Sequence, residues 1–201
     1  MIKRTFTLGK VLFSTALLSL VFATTSCKQE PKQEDPKEVA EDQNEAKFDD
    51  TNDAKEDDSE YLVAAAETDM AEIELGKLAT SKGTDAEVKK LGQMMIDEHT
   101  KASAELKPFA AKRNISLPMA LTDKGKEKYD DLNDEKVGND FDKKFADLMV
   151  NGHEDAIKKM QDASEKATDP EIKAWAAKML PNLQAHLDHA KMVQDKIKNK
   201  K

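Results

Sequence analysis

The chain has 201 residues, room for one ordinary domain and accessory segments. Hydrophobic residues make up 38%, charged residues 36% and aromatic residues 5%, a balance that suits packed helices better than sheets, which favour β-branched and aromatic side chains. A formal charge of −8 without a basic stripe gives no counterion-release affinity for phosphate backbones and excludes nucleic acid as an expected partner, and a lone cysteine excludes an intramolecular disulfide.

At the N-terminus, Lys3, Arg4 and Lys10 precede an uncharged apolar run from Val11 to Ala23. The run is too short to span a bilayer comfortably and has the length of a secretory signal core. Thr24-Thr25-Ser26-Cys27 follows at once and resembles the lipobox of bacterial lipoproteins, with Thr24 standing where that pattern has Leu. The resemblance implies that residues 1–26 are a cleaved signal peptide and that Cys27 is diacylated on sulfur. The expected location is the cell envelope, with the membrane engaged through the lipid anchor on its outer-membrane, periplasmic or surface-facing side.

Residues 28–59 carry thirteen Asp or Glu against five Lys, with Pro31 and Pro36 and almost no large apolar side chain. Such a composition offers too little burial to offset the entropy of ordering. The expectation for 27–59 is therefore a lipidated cysteine followed by a disordered acidic tether, its ends about 30 Å apart.

From residue 60 to 201 the spacing predicts four helices. The first, about Glu60 to Ser81, carries Leu62, Ala66, Met70 and Ile73. The second opens at Thr84 and carries Val88, Leu91, Met95 and Leu106. The third starts near Asn139 with Phe141, Phe145, Met149 and Met160, and the fourth starts at Thr168 with Ile172, Trp175, Met179 and Val193. Thr84-Asp85-Ala86-Glu87 and Thr168-Asp169-Pro170-Glu171 read as two capping boxes, with the Thr hydroxyl as cap and the Glu reaching back. Short links around Gly83 and Ala167 force antiparallel neighbours, whereas Arg113 to Gly138 is long enough to cross the bundle, with room for a short helix near Lys126 to Leu132. The expected fold is all-α: an antiparallel four-helix bundle of two hairpins joined by one long crossover, the ferritin-like arrangement.

His99, His153 and His186 each fall on an apolar stripe near mid-helix, so antiparallel packing brings three imidazoles toward one level. Glu72 and Asp69 lie on one face of the first helix beside small residues, and His189 lies beside its stripe. Glu72, His99, His153 and His186 are the candidate metal ligands, with Asp69 and His189 as further candidates, and the donor set suits a divalent metal such as Zn or Fe. Carboxylate-bridged di-iron sites use Glu-x-x-His, but Ile96, Val150 and Leu183 stand three residues before these histidines and none of them ligates. No nucleophile sits in a strained Gly-rich turn, so the sequence names no catalytic residue and favours a non-enzyme. Pro181 is expected to bend the fourth helix near His186.

Four segments then resemble the bacterial "domain of unknown function 4142" family, ferritin-like envelope proteins. They are Ala71-Glu72-Ile73-Glu74-Leu75-Gly76-Lys77-Leu78-Ala79, Met94-Met95-Ile96-Asp97-Glu98-His99-Thr100-Lys101, Phe141-Asp142 followed by His153-Glu154, and Leu180-Pro181 followed by His186-Leu187. The likeness covers about residues 60–195 and implies an exported four-helix bundle, often of the outer membrane, without supplying a reaction. Two readings follow: an envelope-tethered module that binds metal inside the bundle, or a structural or interaction lipoprotein in envelope stress whose inward histidines are core residues. Neither a protein partner nor an oligomeric state is read from the sequence.

Overall fold

A computed structural model describes residues 34–48 and 53–199. Among them the chain is all-helical, with no strand: α1 (Pro36–Phe48), α2 (Asp53–Lys82), α3 (Ala86–Ala111), α4 (Asp123–Asn133), α5 (Asn139–Lys166) and α6 (Pro170–Lys198). The signal peptide and Cys27 lie outside the described residues, as do the first residues of the expected tether. No described helix is long and apolar enough to cross a membrane.

The most extensive packing is within two helix pairs, α2 with α3 and α5 with α6, and α2 also rests on α5. The first pair is drawn close by glycine. A Cβ at Gly76 would stand 2.6 Å from the Gly92 carbonyl oxygen, and one at Gly92 would stand 2.7 Å from the Ala79 Cβ. Any larger side chain at either position forces the two backbones apart.

Two large apolar clusters fill the interior, with a small third one of Met160, Ala163 and Ala176. One holds Leu75, Leu91, Met95, Phe141, Phe145, Met149, Leu187 and Val193, and the other holds Leu62, Ala66, Leu106, Ala110 and Ile172. The inward stripe of α2 runs through Leu62, Ala66, Leu75 and Leu78, while Met70 and Ile73, which the spacing placed inward, are only half-buried.

Both helix starts lie one residue later than expected. Asp85 and Asp169 are the N-caps, each accepting from the amide two residues on (Glu87 N 2.8 Å, Glu171 N 2.7 Å). The threonines do not cap because their hydroxyls are engaged elsewhere. The buried Asp142 carboxylate accepts from Thr84 N (2.8 Å), Thr84 Oγ1 (2.6 Å) and Asp85 N (2.8 Å). The buried Asp58 carboxylate accepts the same three bonds from Thr168 N (2.8 Å), Thr168 Oγ1 (2.8 Å) and Asp169 N (2.7 Å). One carboxylate thus ties down each tight turn from across the fold.

The disordered tether is corrected over most of its length. Residues 36–48 form α1, and α2 begins at Asp53 rather than Glu60. Charge count hid three inward positions: Ala40, Asn44 and Phe48 are buried. Asn44 clamps the chain after α3, accepting from Ser116 N (2.7 Å) and donating to Ser116 O (3.0 Å), and Phe48 joins the cluster of Leu106 and Ile115. The crossover between α3 and α5 carries α4, a little longer than its expected Lys126 to Leu132. α6 runs unbroken through Pro181.

Candidate metal centre

The two large apolar clusters leave a gap between them, and the polar residues fall into it. On α2, Asp69 and Glu72 separate Ala66 of one cluster from Leu75 of the other. On α3, His99 separates Met95 from Leu106, and on α5, His153 follows Met149 and Val150. His186 on α6 precedes Leu187. Each of these four helices therefore supplies polar side chains at one level, and all five are buried: Asp69 7%, Glu72 4%, His99 4%, His153 0% and His186 8% exposed.

His99, His153 and His186 each offer a ring nitrogen within 4.8 Å of the other two. Ring centroids are 5.3–5.8 Å apart. Two of the rings are oriented from behind. His99 Nδ1 donates to Asp69 Oδ1 at 2.8 Å, and His153 Nδ1 donates to the Met149 carbonyl at 2.8 Å. A carbonyl only accepts, so neutral His153 turns the lone pair of Nε2 inward. That atom lies 3.3 Å from His186 Nδ1 and 3.4 Å from Glu72 Oε2.

Glu72 Oε2 also stands 2.8 Å from His99 Nε2. The separation has hydrogen-bond length but not hydrogen-bond alignment, and both atoms are buried without a hydrogen-bond partner. Leaving a buried polar atom unsatisfied costs about 1–3 kcal/mol, and native proteins rarely leave two side by side without a role. Gly152 admits the carboxylate, since a Cβ there would lie 2.9 Å from Glu72 Oε1.

The electrostatics follow from this crowding. Burial pulls the His99 pKa down, but Glu72 and Asp69 outweigh it and push the ring up to about 10. Burial, together with His153 and His99, pulls His186 down to about 4. Burial raises Asp69 above the ordinary carboxylate range against the pull of His99. Burial also acts to raise Glu72, yet the three histidines outweigh it and hold the carboxylate below its usual value. At neutral pH the cluster holds an ionised Glu72, a neutral His186 and a protonated His99, the proton occupying the place a cation would take.

The candidates Glu72, His99, His153, His186 and Asp69 thus meet in one place, Asp69 behind His99 rather than facing the common centre. His189 is only half-buried and stands outside the converging group. The Met149 carbonyl and the space at Gly152 carried no side-chain signal that spacing detects.

A family model described as "domain of unknown function (DUF4142)" matches residues 43–193, so the match begins within α1, and no curated protein and no solved structure matches the chain.

Proposed function

We propose that this chain, which belongs to the DUF4142 family, is an envelope-tethered protein that binds a divalent metal ion between its helices. In this reading α2, α3, α5 and α6 form an antiparallel four-helix bundle of ferritin-like type. Cys27 carries the lipid that holds the protein at a membrane, and residues 1–26 are lost on export. The ligands are His99 through Nε2, His153 through Nε2, His186 through Nδ1 and Glu72 through Oε2. Asp69 and the Met149 carbonyl hold two of the rings in the ligating tautomer, as partners behind metal-bound histidines generally do.

The observation that carries the reading is the pair of unpartnered buried atoms, Glu72 Oε2 and His99 Nε2, 2.8 Å apart. Asp69 takes the proton on Nδ1 of His99, so once His99 gives up the proton on Nε2 it directs a lone pair at a carboxylate oxygen. Such an arrangement is repulsive until a positive charge lies between the two atoms. A metal ion satisfies both at once, together with the inward lone pair of His153 and that of His186 Nδ1 once the proton it donates to His153 Nε2 has moved to its other ring nitrogen. Three imidazoles and one carboxylate suit Zn²⁺ and also accommodate Fe²⁺.

A specific observation favours a second reading. A protonated His99 between Asp69 and Glu72 is itself a buried ion pair, consistent with its pKa of about 10, and would serve a structural envelope protein without metal. The two readings separate on metal content and melting of the full chain, purified in detergent without a histidine tag, beside a His99→Ala/His153→Ala variant. Near-stoichiometric metal that is lost in the variant, with a melting temperature that chelator lowers only in the parent, is the expected result. No uptake from a panel of divalent ions and no effect of chelator would leave the structural ion pair.

A further inference from the structure

The buried cluster is the floor of a cavity of about 380 Å³ whose lining includes Asp69, Glu72, His99 and His186. The same lining includes the exposed residues Glu98, Glu105 and Asn182, so the space runs from the cluster to solvent. A space of this size far exceeds what one water needs. A sealed centre would exchange its ion only when the helices part, whereas this one already has a passage. The passage ends on Glu72 and His99, each 4% exposed and each with a polar atom that has no hydrogen-bond partner.

The charges of the lining are unevenly placed. Its four lysines stand on α1 (Lys37), α4 (Lys124 and Lys128) and α5 (Lys159), and none comes from α3 or α6. Glu67, a lining carboxylate of α2, is paired with Lys37 at 3.7 Å. The side made by α3 and α6 is different. Glu98, Ala102 and Glu105 follow at intervals of four and three residues along one face of α3, and Met179, Asn182 and His186 keep intervals of three and four on α6. Glu98 and Glu105 take part in no ion pair among the described residues. α3 and α6 also pack against each other far less than the members of either tight helix pair do, and the small Ala102 leaves their seam open. An approaching cation therefore meets lysines on the other sides and two uncompensated carboxylates here. A cleft lined by one sign of charge raises the local concentration of its counter-ion and the rate of its arrival.

Resting on the metal reading, we propose that the divalent ion enters and leaves its buried site through the seam between α3 and α6, and that Glu98 and Glu105 hold it in transit without ligating it at the end. Their carboxylate oxygens take over from the water that the ion sheds as it passes Ala102, and His99, the residue after Glu98, receives it at the floor. No covalent bond changes. A group that touches the ion only in transit lowers the barrier by the same amount in both directions. It governs the rates of uptake and release and leaves the affinity alone.

The test mixes metal-free full chain in detergent rapidly with Co²⁺, whose visible bands appear as the ion reaches its imidazole ligands. Release is followed as excess Zn²⁺ displaces the Co²⁺. The parent is compared with Glu98→Gln/Glu105→Gln, with Ala102→Leu, which narrows the seam, and with Asp155→Asn, a lining carboxylate on α5. In the Glu98→Gln/Glu105→Gln variant, uptake and release should both slow by about tenfold at low salt, while affinity stays within about threefold of the parent. The difference should shrink as salt screens the exposed carboxylates. Ala102→Leu should slow both rates at every salt concentration, and Asp155→Asn should match the parent. Parent rates in the Glu98→Gln/Glu105→Gln variant, or slowing confined to Asp155→Asn, would overturn the seam as the route. Affinity that falls while the uptake rate holds would overturn transit, because the two carboxylates would then belong to the final site. Absence of Co²⁺ bands in the parent would bring down the metal reading, and this proposal with it.

Discussion

His99 faces carboxylate oxygens from both ring nitrogens, Asp69 Oδ1 and Glu72 Oε2, each at 2.8 Å. Only the first contact is aligned as a hydrogen bond, so Asp69 acts on the ring's orientation and basicity while Glu72 acts with it. Asp69→Ala should leave all four proposed ligands in place and still weaken metal binding about 10–100-fold, the usual cost of losing a partner behind a histidine ligand. Competition against a zinc-chelating dye measures it, and an unchanged affinity would remove Asp69 from the site. Gly152→Ala makes a sharper case because two effects have opposite sign. Alanine favours a helix interior by about 1 kcal/mol over glycine, but its Cβ would stand 2.9 Å from Glu72 Oε1 and push that carboxylate aside. Melting temperature should hold or rise while metal affinity falls, and a parallel loss of both would show that Gly152 serves packing instead. Spacing made the histidines legible because an imidazole stands out on an apolar stripe. It was silent on Gly152, which in the fold is room for a carboxylate. His189, which the spacing sets beside the stripe rather than on it, is only half-buried.

At the scale of elements, the two turns repeat each other more closely than the helices do. Asp58 and Asp142 each accept three hydrogen bonds from a Thr-Asp pair, and both are almost wholly buried. Removing either carboxylate orphans two backbone amides and a hydroxyl. Asp142→Ala and Asp58→Ala should each destabilise by about 3 kcal/mol in urea melts, similar in size because the bonds lost are the same. A loss below about 0.5 kcal/mol in either would mean that water replaces the carboxylate there. The Thr-Asp repeat marks both helix starts in the sequence, yet the aspartate rather than the threonine of each pair is the cap. A local capping rule assumes that the threonine hydroxyl has no better partner, and here the partner lies 58 or 110 residues away. The failure at α1 has the same origin. Its acidic composition argues for disorder, but Asn44 closes two bonds with Ser116 and Phe48 enters the core, contacts that exist only once the chain after α3 is in position. Asn44→Ala should therefore raise amide exchange within α1 while leaving exchange in α5 and α6 at parent rates. Equal acceleration throughout would show that α1 unfolds only with the whole domain.

For the whole molecule, the buried cluster ties α2 and α3 to α5 and α6, so its protonation is coupled to global stability in the metal-free protein. His186 titrates near 6.5 when unfolded and near 4 when folded. The unfolded chain therefore takes up a proton first, and stability is lost as pH falls from about 6.5 through about 4. Glu72, whose folded pKa is lowered, adds to the same acid-side loss. Asp69, raised by burial, acts in the opposite direction. His99 works on the other side. Its folded pKa is near 10 against 6.5 unfolded, so its contribution is complete below about 6.5 and is lost as pH rises toward 10. Metal-free full chain should thus show a crest of stability near pH 6.5, with denaturant midpoints falling toward both pH 4.5 and pH 9. His186→Ala should flatten the acid limb and leave the alkaline limb. Saturating metal should do the reverse, because the ion takes the place of the His99 proton and keeps Glu72 compensated after that proton would have left. An alkaline limb that persists unchanged with metal bound would place the ion away from His99, whereas its disappearance would locate the ion between His99 and Glu72, where the two unpartnered atoms meet.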